Sequence, residues 1–334
     1  VMINPAHGID PAERVDLAPL ARRLLARLQG DARYHALSPK FSIQLDGGGI
    51  GDREHPQDLW LALGDTHLAL GVASSIARAR ILGLVSEAPA FDAVVAAIDL
   101  FLARAAPDAL RYRDLLRAQP IEALRADLAA AGAGLIDDDA ALRSWRPRSA
   151  SGARPIGVHA LRQPGRVFVG AMPALGRVTP DALRGLADLA VARGDGTIRL
   201  TPWQGVLLPH VAARDGETVL ARLAALGLAT QPDDPLASLV ACAGSTGCGR
   251  GLADTKADGL HLAGAMTSAG VTAELHLSGC AKSCALARTA AFTLEAVATG
   301  RYDLYARDDN AAHRFGRRVA ERIAPESAIA FLKP

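Results

Sequence analysis

The sequence predicts an α+β fold, on three observations. Short strand-like runs, the alternating "KFSIQLDGGG" from Lys40 and "RVFVGAM" from Arg166, sit among longer stretches of helical periodicity such as "DLAPLARRLLARL" from Asp16. Strands and helices come in blocks rather than in strict alternation, which favours segregated layers over one parallel sheet. A weak internal likeness, "SIQLDGG" from Ser42 against "ELHLSGC" from Glu274, pairs two strands that each run into a glycine turn after a helical stretch, and hints at duplication.

The elements follow in order. In the first block, residues 1–143, the helix from Asp16 precedes the strand from Lys40, the strand "THLALGVA" from Thr66 and a series of Ala-rich helices. "SWRPRSASGARPIG", Ser144 to Gly157, has the prolines, small polar residues and arginines of an exposed linker, so a domain boundary is expected there. In the second block, residues 155–231, "RVFVGAM" is a strand. "TPDALRGLADLAVARG" is a helix with Thr179 as N-cap, Pro180 in its first turn and Gly194 as its stop. "TIRLT" and "GVLLPHV" are strands about the "PWQ" connection, and "DGETVLARLAALG" is a second helix, an order that fits a ferredoxin-like unit. The third block, residues 232–334, holds all four cysteines.

Composition removes several function classes. The 334 residues are half hydrophobic, enough for two or three domains with buried cores. The net charge of +2 is scattered, with no basic stripe for nucleic acid or a membrane surface. The apolar run "AVVAAIDLFLA" from Ala93 is shorter than a membrane span and contains Asp99, so it reads as a core helix. The first residues lack the features of a secretory signal, which predicts a cytoplasmic protein with reduced cysteines. A start at Val1 on the approach to a helix predicts a fragment or a processed product. "DGGGIGD" and "GSTGCGRG" match no phosphate-loop pattern, so nucleotide binding is not expected and an electron donor would be a separate reductase.

The chemistry concentrates in the cysteines. Cys242 and Cys248 form C-x5-C, Cys280 and Cys284 form C-x3-C, and 31 residues separate the pairs. Structural zinc favours shorter knuckles on both sides, whereas an iron–sulfur cluster needs four thiolates on a cradle of small residues, which Gly, Ala and Ser supply here. Cys280 and Cys284 are expected to lie one turn apart at the start of a helix "CAKSCALARTAAF", whose N-terminus would favour thiolates. Zinc and four inert buried cysteines stay open as alternatives.

This cysteine pattern, with its "SGCAKSC" turn, resembles the nitrite/sulfite reductase superfamily, and the resemblance extends over nearly the whole chain. It implies two duplicated reductase-type α/β domains flanking a ferredoxin-like half-domain, with a [4Fe–4S] cluster on Cys242, Cys248, Cys280 and Cys284. "RLTPWQGVLLPHV" from Arg199, Lys282 inside the cysteine turn and "GRYDLYARDD" from Gly300 are similar to the precorrin-3B synthase family. That family implies O2-dependent hydroxylation and lactone formation on precorrin-3A in cobalamin biosynthesis, external electrons and an additional non-haem iron, for which no ligands are assigned. The resemblance also implies carboxylate-binding roles for Lys40, Arg199, Gln204, Arg250 and Lys282. Superfamily reductases carry a basic "PRKFK" segment where this chain has "SPKFS", so Lys40 matches one lysine and Ser42 replaces the other. Arg288 is a further possible carboxylate partner or a plain salt bridge, Trp203 and His276 read more readily as core, and Asp46 as a turn former. Two other readings stand beside this one: a sirohaem-dependent nitrite or sulfite reductase, and a non-catalytic tetrapyrrole-binding fragment. The latter follows from the expectation that an upstream ferredoxin-like half-domain is missing.

Overall fold

The computed structural model describes residues 1–148 and 154–332, so part of the linker stretch lies outside the described residues. The chain divides into two compact units, Val1–Ala153 and Arg154–Pro334.

In the first unit, α1 (Ala18–Gly30) leads into β1 (Ile43–Asp46), β2 (Gln57–Leu63), β3 (Leu68–Ser74) and β4 (Ile81–Val85), followed by α2 (Ala90–Arg104), α3 (Tyr112–Ala118), α4 (Ile121–Ala130) and α5 (Asp139–Ser144). The sheet order is β1-β2-β3-β4, with β1 parallel to β2 and the other pairs antiparallel. Helix α1 buries Ala18, Ala21 and Leu24, a three-residue spacing that keeps one face on the sheet while Arg22 and Arg23 stay in solvent. Strand β2 is apolar on both faces. Leu59 and Leu61 join the core beneath the helices, while Trp60 and Ala62 pack with Ile76 and Trp145 on the opposite side. Gly71 makes room for this second layer, since a Cβ there would fall 2.0 Å from the Trp60 ring. The segment from Ala93 belongs to α2 and buries Val94, Ala97, Ile98 and Phe101. Among the described residues no helix is long and apolar enough to cross a membrane.

The second unit begins with β5 (Gly157–Ala160), β6 (Arg166–Pro173), α6 (Pro180–Arg193), β7 (Arg199–Leu200), β8 (Val206–Ala212), α7 (Gly216–Ala225) and β9 (Leu228–Ala229). From β6 onward this is a βαββαβ unit. Taking its four strands as first to fourth, β9-β6-β8-β7 stand side by side in the order fourth, first, third, second, with β5 added against β6. Helix α6 starts where its caps require: the Thr179 hydroxyl accepts from the Ala182 N–H at 3.2 Å, Pro180 opens the first turn and Gly194 ends it. Leu186, Ala190, Val219 and Leu223 of α6 and α7 cover one face of this sheet.

The remainder holds α8 (Pro235–Ser238), β10 (Leu239–Ala241), α9 (Gly244–Gly247), α10 (Thr255–Ala269), β11 (Leu275–Ser278), β12 (Phe292–Ala298), β13 (Arg301–Ala306), β14 (Arg317–Ile323) and α11 (Ile329–Leu332). Its sheet runs β10-β11-β12-β13-β14. Strands β11 to β14 pair parallel, antiparallel, antiparallel, the same sequence of senses as β1 to β4. The resemblance of "SIQLDGG" to "ELHLSGC" therefore has a topological counterpart. Helix α10 covers one face through Leu262, Ala263 and Met266. The opposite face is polar, with His276, Thr293 and Tyr305 in one cross-strand row.

Candidate metal centre

Strands β10 and β11 lie side by side and parallel, so the loops leaving their C-terminal ends start as neighbours. Cys242 follows β10 directly, and its N–H donates to Leu277 O at 3.1 Å. The chain then makes the short α9 turn to Cys248. Gly279 and Cys280 follow β11, with Cys284 four residues on.

Backbone contacts tie the two loops together. The Leu252 N–H donates to Gly279 O at 2.9 Å, and the Gly279 N–H donates to the Cys242 sulfur at 3.1 Å. The crossing is tight at Gly279 and leaves no room for a side chain at Gly251. A Cβ on Gly279 would lie 3.3 Å from Cys242 Sγ and 3.4 Å from Gly251 Cα, and one on Gly251 would lie 2.5 Å from the Gly244 carbonyl carbon. Thr255, fully buried, donates to Cys242 O at 2.9 Å. All four cysteines are free thiols, with Cys248 and Cys284 exposed. Among the described residues no three His, Cys, Asp or Glu side chains converge on a single-ion position.

The helix expected from Cys280 does not form: residues 279–291 are turns and irregular chain that carry β11 into β12. The cause is local. Ser283, between the two cysteines, has φ of 54°, in the left-handed region that interrupts a right-handed helix. Carbonyls that a helix would use are taken by side chains instead. Ser278 Oγ donates to Cys280 O at 2.7 Å, Ser283 Oγ to Leu286 O at 2.7 Å, and Arg314 Nη1 to Lys282 O at 2.9 Å. Cys280 and Cys284 thus follow the glycine crossing at Gly279 in a loop, with no helix N-terminus at them.

The carboxylate-binding residues expected from sequence are distributed over both units. Lys40 is exposed just before β1. Ser42, two residues on, is held by Asp58, which accepts from its N–H at 2.9 Å and its hydroxyl at 3.2 Å. In the second unit Arg199 lies on β7 and pairs in register with Leu207. Gln204 is exposed with φ of 65°, and its side chain lies against Gly176, where a Cβ would come within 2.2 Å of Gln204 Oε1. Arg250 and Lys282 are exposed on the two cysteine loops. Arg288 is ion-paired with Glu274, whose other oxygen accepts from Ala291 N–H at 3.2 Å. The Asp46 carboxylate accepts from Gly48 N–H at 2.9 Å and from Arg53, closing the glycine turn after β1.

One functional-looking side chain escapes sequence reasoning, and a second, His276, is buried as its place on a strand leads one to expect. Lys256, in the first turn of α10, donates to Ala241 O at 2.7 Å and to Leu175 O, so it joins the turn after β6 to the residue before Cys242. Burial and the charge of Arg177 lower its pKa, with Cys242 opposing. Its sequence signal is a cation in a helix first turn, where the dipole favours acids. His276, central on β11, is 1% exposed, and its Nε2 has no partner. Thr293, its cross-strand neighbour, has an equally unpartnered hydroxyl. The ring of Phe315 meets His276 edge-on with centroids 6.0 Å apart.

Residues 159–226 match the nitrite/sulfite reductase ferredoxin-like half domain. Over 84% of the chain, the sequence is 29% identical to a protein of Synechococcus elongatus named ferredoxin–nitrite reductase. Over 90% of the chain it is 27% identical to one of Sinorhizobium sp. named precorrin-3B synthase. A shorter stretch, 39% of the chain, is 36% identical to sulfite reductase [ferredoxin] 2 of Mycolicibacterium paratuberculosis. The chain covers 58%, 63% and 25% of these relatives in turn. The fold matches that of the Mycobacterium tuberculosis NirA protein with a TM-score of 0.80 over 98% of this chain and 65% of that one, at 21% identity. The chain is thus similar in sequence to nitrite and sulfite reductases and to a precorrin-3B synthase, and it shares the mixed α+β fold of the NirA protein.

Proposed function

We propose that this chain is a tetrapyrrole-oxidising iron–sulfur enzyme, a precorrin-3B synthase, in which Cys242, Cys248, Cys280 and Cys284 hold a [4Fe–4S] cluster. The observation that carries this reading is the pairing of the two cysteine loops at adjacent ends of parallel strands, crossed by glycine backbone and joined by the 3.1 Å bond from Gly279 N–H to Cys242 Sγ. Four thiolate donors among small residues fit such a cluster, which when bound supplies single electrons.

The chain's own residues bind and orient. The Gly279 N–H donates to the Cys242 sulfur, and Lys256 anchors the preceding residue through Ala241 O, so both hold this cysteine in place. In this reading Lys40 in the first unit, and Arg199, Gln204, Arg250 and Lys282 in the second, are each candidate donors to an acetate or propionate carboxylate of precorrin-3A, the cations through charge-assisted bonds. Inserting one oxygen of O2 while the other leaves as water consumes two electrons and two protons, so an external donor is part of this reading. In it, residues 1–143, 155–231 and 232–334 act as a reductase-like domain, a half-domain and a cluster domain.

Ser42 favours the synthase over a sirohaem reductase, because the position of a second reductase lysine is taken by a hydroxyl bound to Asp58. The Sinorhizobium relative points the same way. The 29% identity to a ferredoxin–nitrite reductase favours the second reading, a sirohaem-dependent reductase.

Absorption and EPR of anaerobically purified protein separate these readings. The synthase is expected to show a broad cluster spectrum without haem bands and to convert precorrin-3A in the presence of O2 and a reductant. Sharp haem bands would transfer the assignment to the reductase, and a colourless protein would leave only a non-catalytic role. Lys40→Ala and Arg199→Ala are each expected to weaken precorrin-3A binding by about 1.5–3 kcal/mol while the cluster spectrum stays intact. Equal affinity in both variants, measured by fluorescence titration, removes these residues from the substrate site.

A further inference from the structure

We infer that the first unit carries a separate binding site for a small polyanion, in a pocket of about 600 Å³ walled by the β3–β4 turn, α4, α5 and the residues just after α5. That volume is in the range of small-molecule sites, and its rim is cationic. Arg125, Arg143 and Arg146 line it, against the single carboxylate of Asp139.

What matters is how these guanidinium groups are used. Arg125 donates from Nε to Leu82 O at 3.0 Å and from Nη2 to Ile81 O at 3.2 Å. Arg146 donates from Nη1 to Trp145 O at 2.7 Å and to Arg143 O at 3.2 Å. Carbonyl acceptors hold both side chains in place without neutralising them. Arg143 lies 3.9 Å from Asp139, with the two side chains 73% and 78% exposed, so water screens that pair heavily. Three cations against one anion leave an excess of two positive charges around a concave surface that Ala77 and Ala79 also line.

Planar guanidinium groups with remaining N–H donors match carboxylate or phosphate oxygens, often two at a time. Arg125 is already ordered by its carbonyl bonds, so less rotamer entropy is lost on binding. A molecule with at least two carboxylate or phosphate groups answers both the charge and the size. An acidic protein surface, by contrast, would meet the rim and leave the concavity unfilled.

The test uses the full chain and two probes, citrate and pyrophosphate, by isothermal titration at low ionic strength. One site is expected for at least one probe, weakening as salt is raised. Arg143→Gln and Arg146→Gln change exposed side chains, and each is expected to reduce the affinity about tenfold, the equivalent of 1.4 kcal/mol, without altering the melting temperature. The tighter of the two probes names the recognised group as carboxylate or phosphate. The inference is overturned if neither probe binds, if the double variant binds undiminished, or if an acidic polypeptide binds and citrate does not displace it. None of these outcomes depends on the cluster or on turnover, so they leave the synthase reading to its own test.

Discussion

Replacing Asp58 with alanine is expected to cost the first unit about 3–5 kcal/mol, the range for removing one partner of a buried ion pair. Asp58 is 2% exposed on β2, and its carboxylate accepts four kinds of donor. These are Arg111 Nε at 2.8 and 3.0 Å, the Tyr112 N–H at 2.8 Å, the Ser42 N–H at 2.9 Å and the Ser42 hydroxyl at 3.2 Å. The bonds tie β2 to the entry of β1 and to the start of α3. Alanine leaves the part-buried guanidinium and two backbone N–H groups without their acceptor, and no apolar group replaces what is lost. Set against the 5–15 kcal/mol that holds a domain together, such a loss brings the unit close to unfolding at ambient temperature. Asp58→Asn keeps the volume and one acceptor oxygen, so it should fall between wild type and alanine. Urea titration followed by hydrogen exchange of the β2 amides reads the effect. A loss under about 1 kcal/mol for Asp58→Ala would mean that the network is not coupled to the fold in the way described.

The second large effect is a dependence on pH centred on His276. Burial chiefly, and the neighbouring Arg314 charge secondarily, lower its pKa from 6.5 to about 4, with Glu274 opposing. The sign follows from the neutral form being preferred in the folded state. Above pH 6.5 neither state binds the proton and the stability associated with neutral His276 is fully present. Between pH 6.5 and about 4 the unfolded chain takes up a proton that the folded chain refuses, so stability falls with falling pH. The interval is worth about 3 kcal/mol. His276→Gln, neutral throughout, is expected to lose about that much less than wild type between pH 7 and 4. Comparing urea unfolding of the two proteins across this range cancels the carboxylates they share. Parallel curves would show that His276 is not the group responsible.

What the sequence determined by itself was whatever depends on near neighbours along the chain. Helix α6 has its boundaries written in Thr179, Pro180 and Gly194, because a cap is satisfied within three or four residues. The helices α1 and α7 show their period directly, and the strands β6 and β8 show as short apolar runs bounded by turn residues. Cysteine spacing named the four thiols to consider, and the DGG turn after β1 is closed by Asp46 as its residues predict.

The tertiary structure decided everything that rests on distant partners. Strand β2 has apolar residues on both faces, so the alternation that marks a half-buried strand is absent, and its place follows only from pairing with β1 and β3. Strand β9 is two residues long and exists because β6 offers it an edge. The stretch after Cys280 carries a helical pattern, yet Ser283 in the left-handed region and Arg314, 32 residues away on Lys282 O, hold it as a loop. Arg111 reaches Asp58 across 53 residues, and Lys256 joins Leu175 across 81. No local signal carries such pairings: a cap or a helical period is satisfied within one turn of chain, whereas a buried charge is defined by what folds against it.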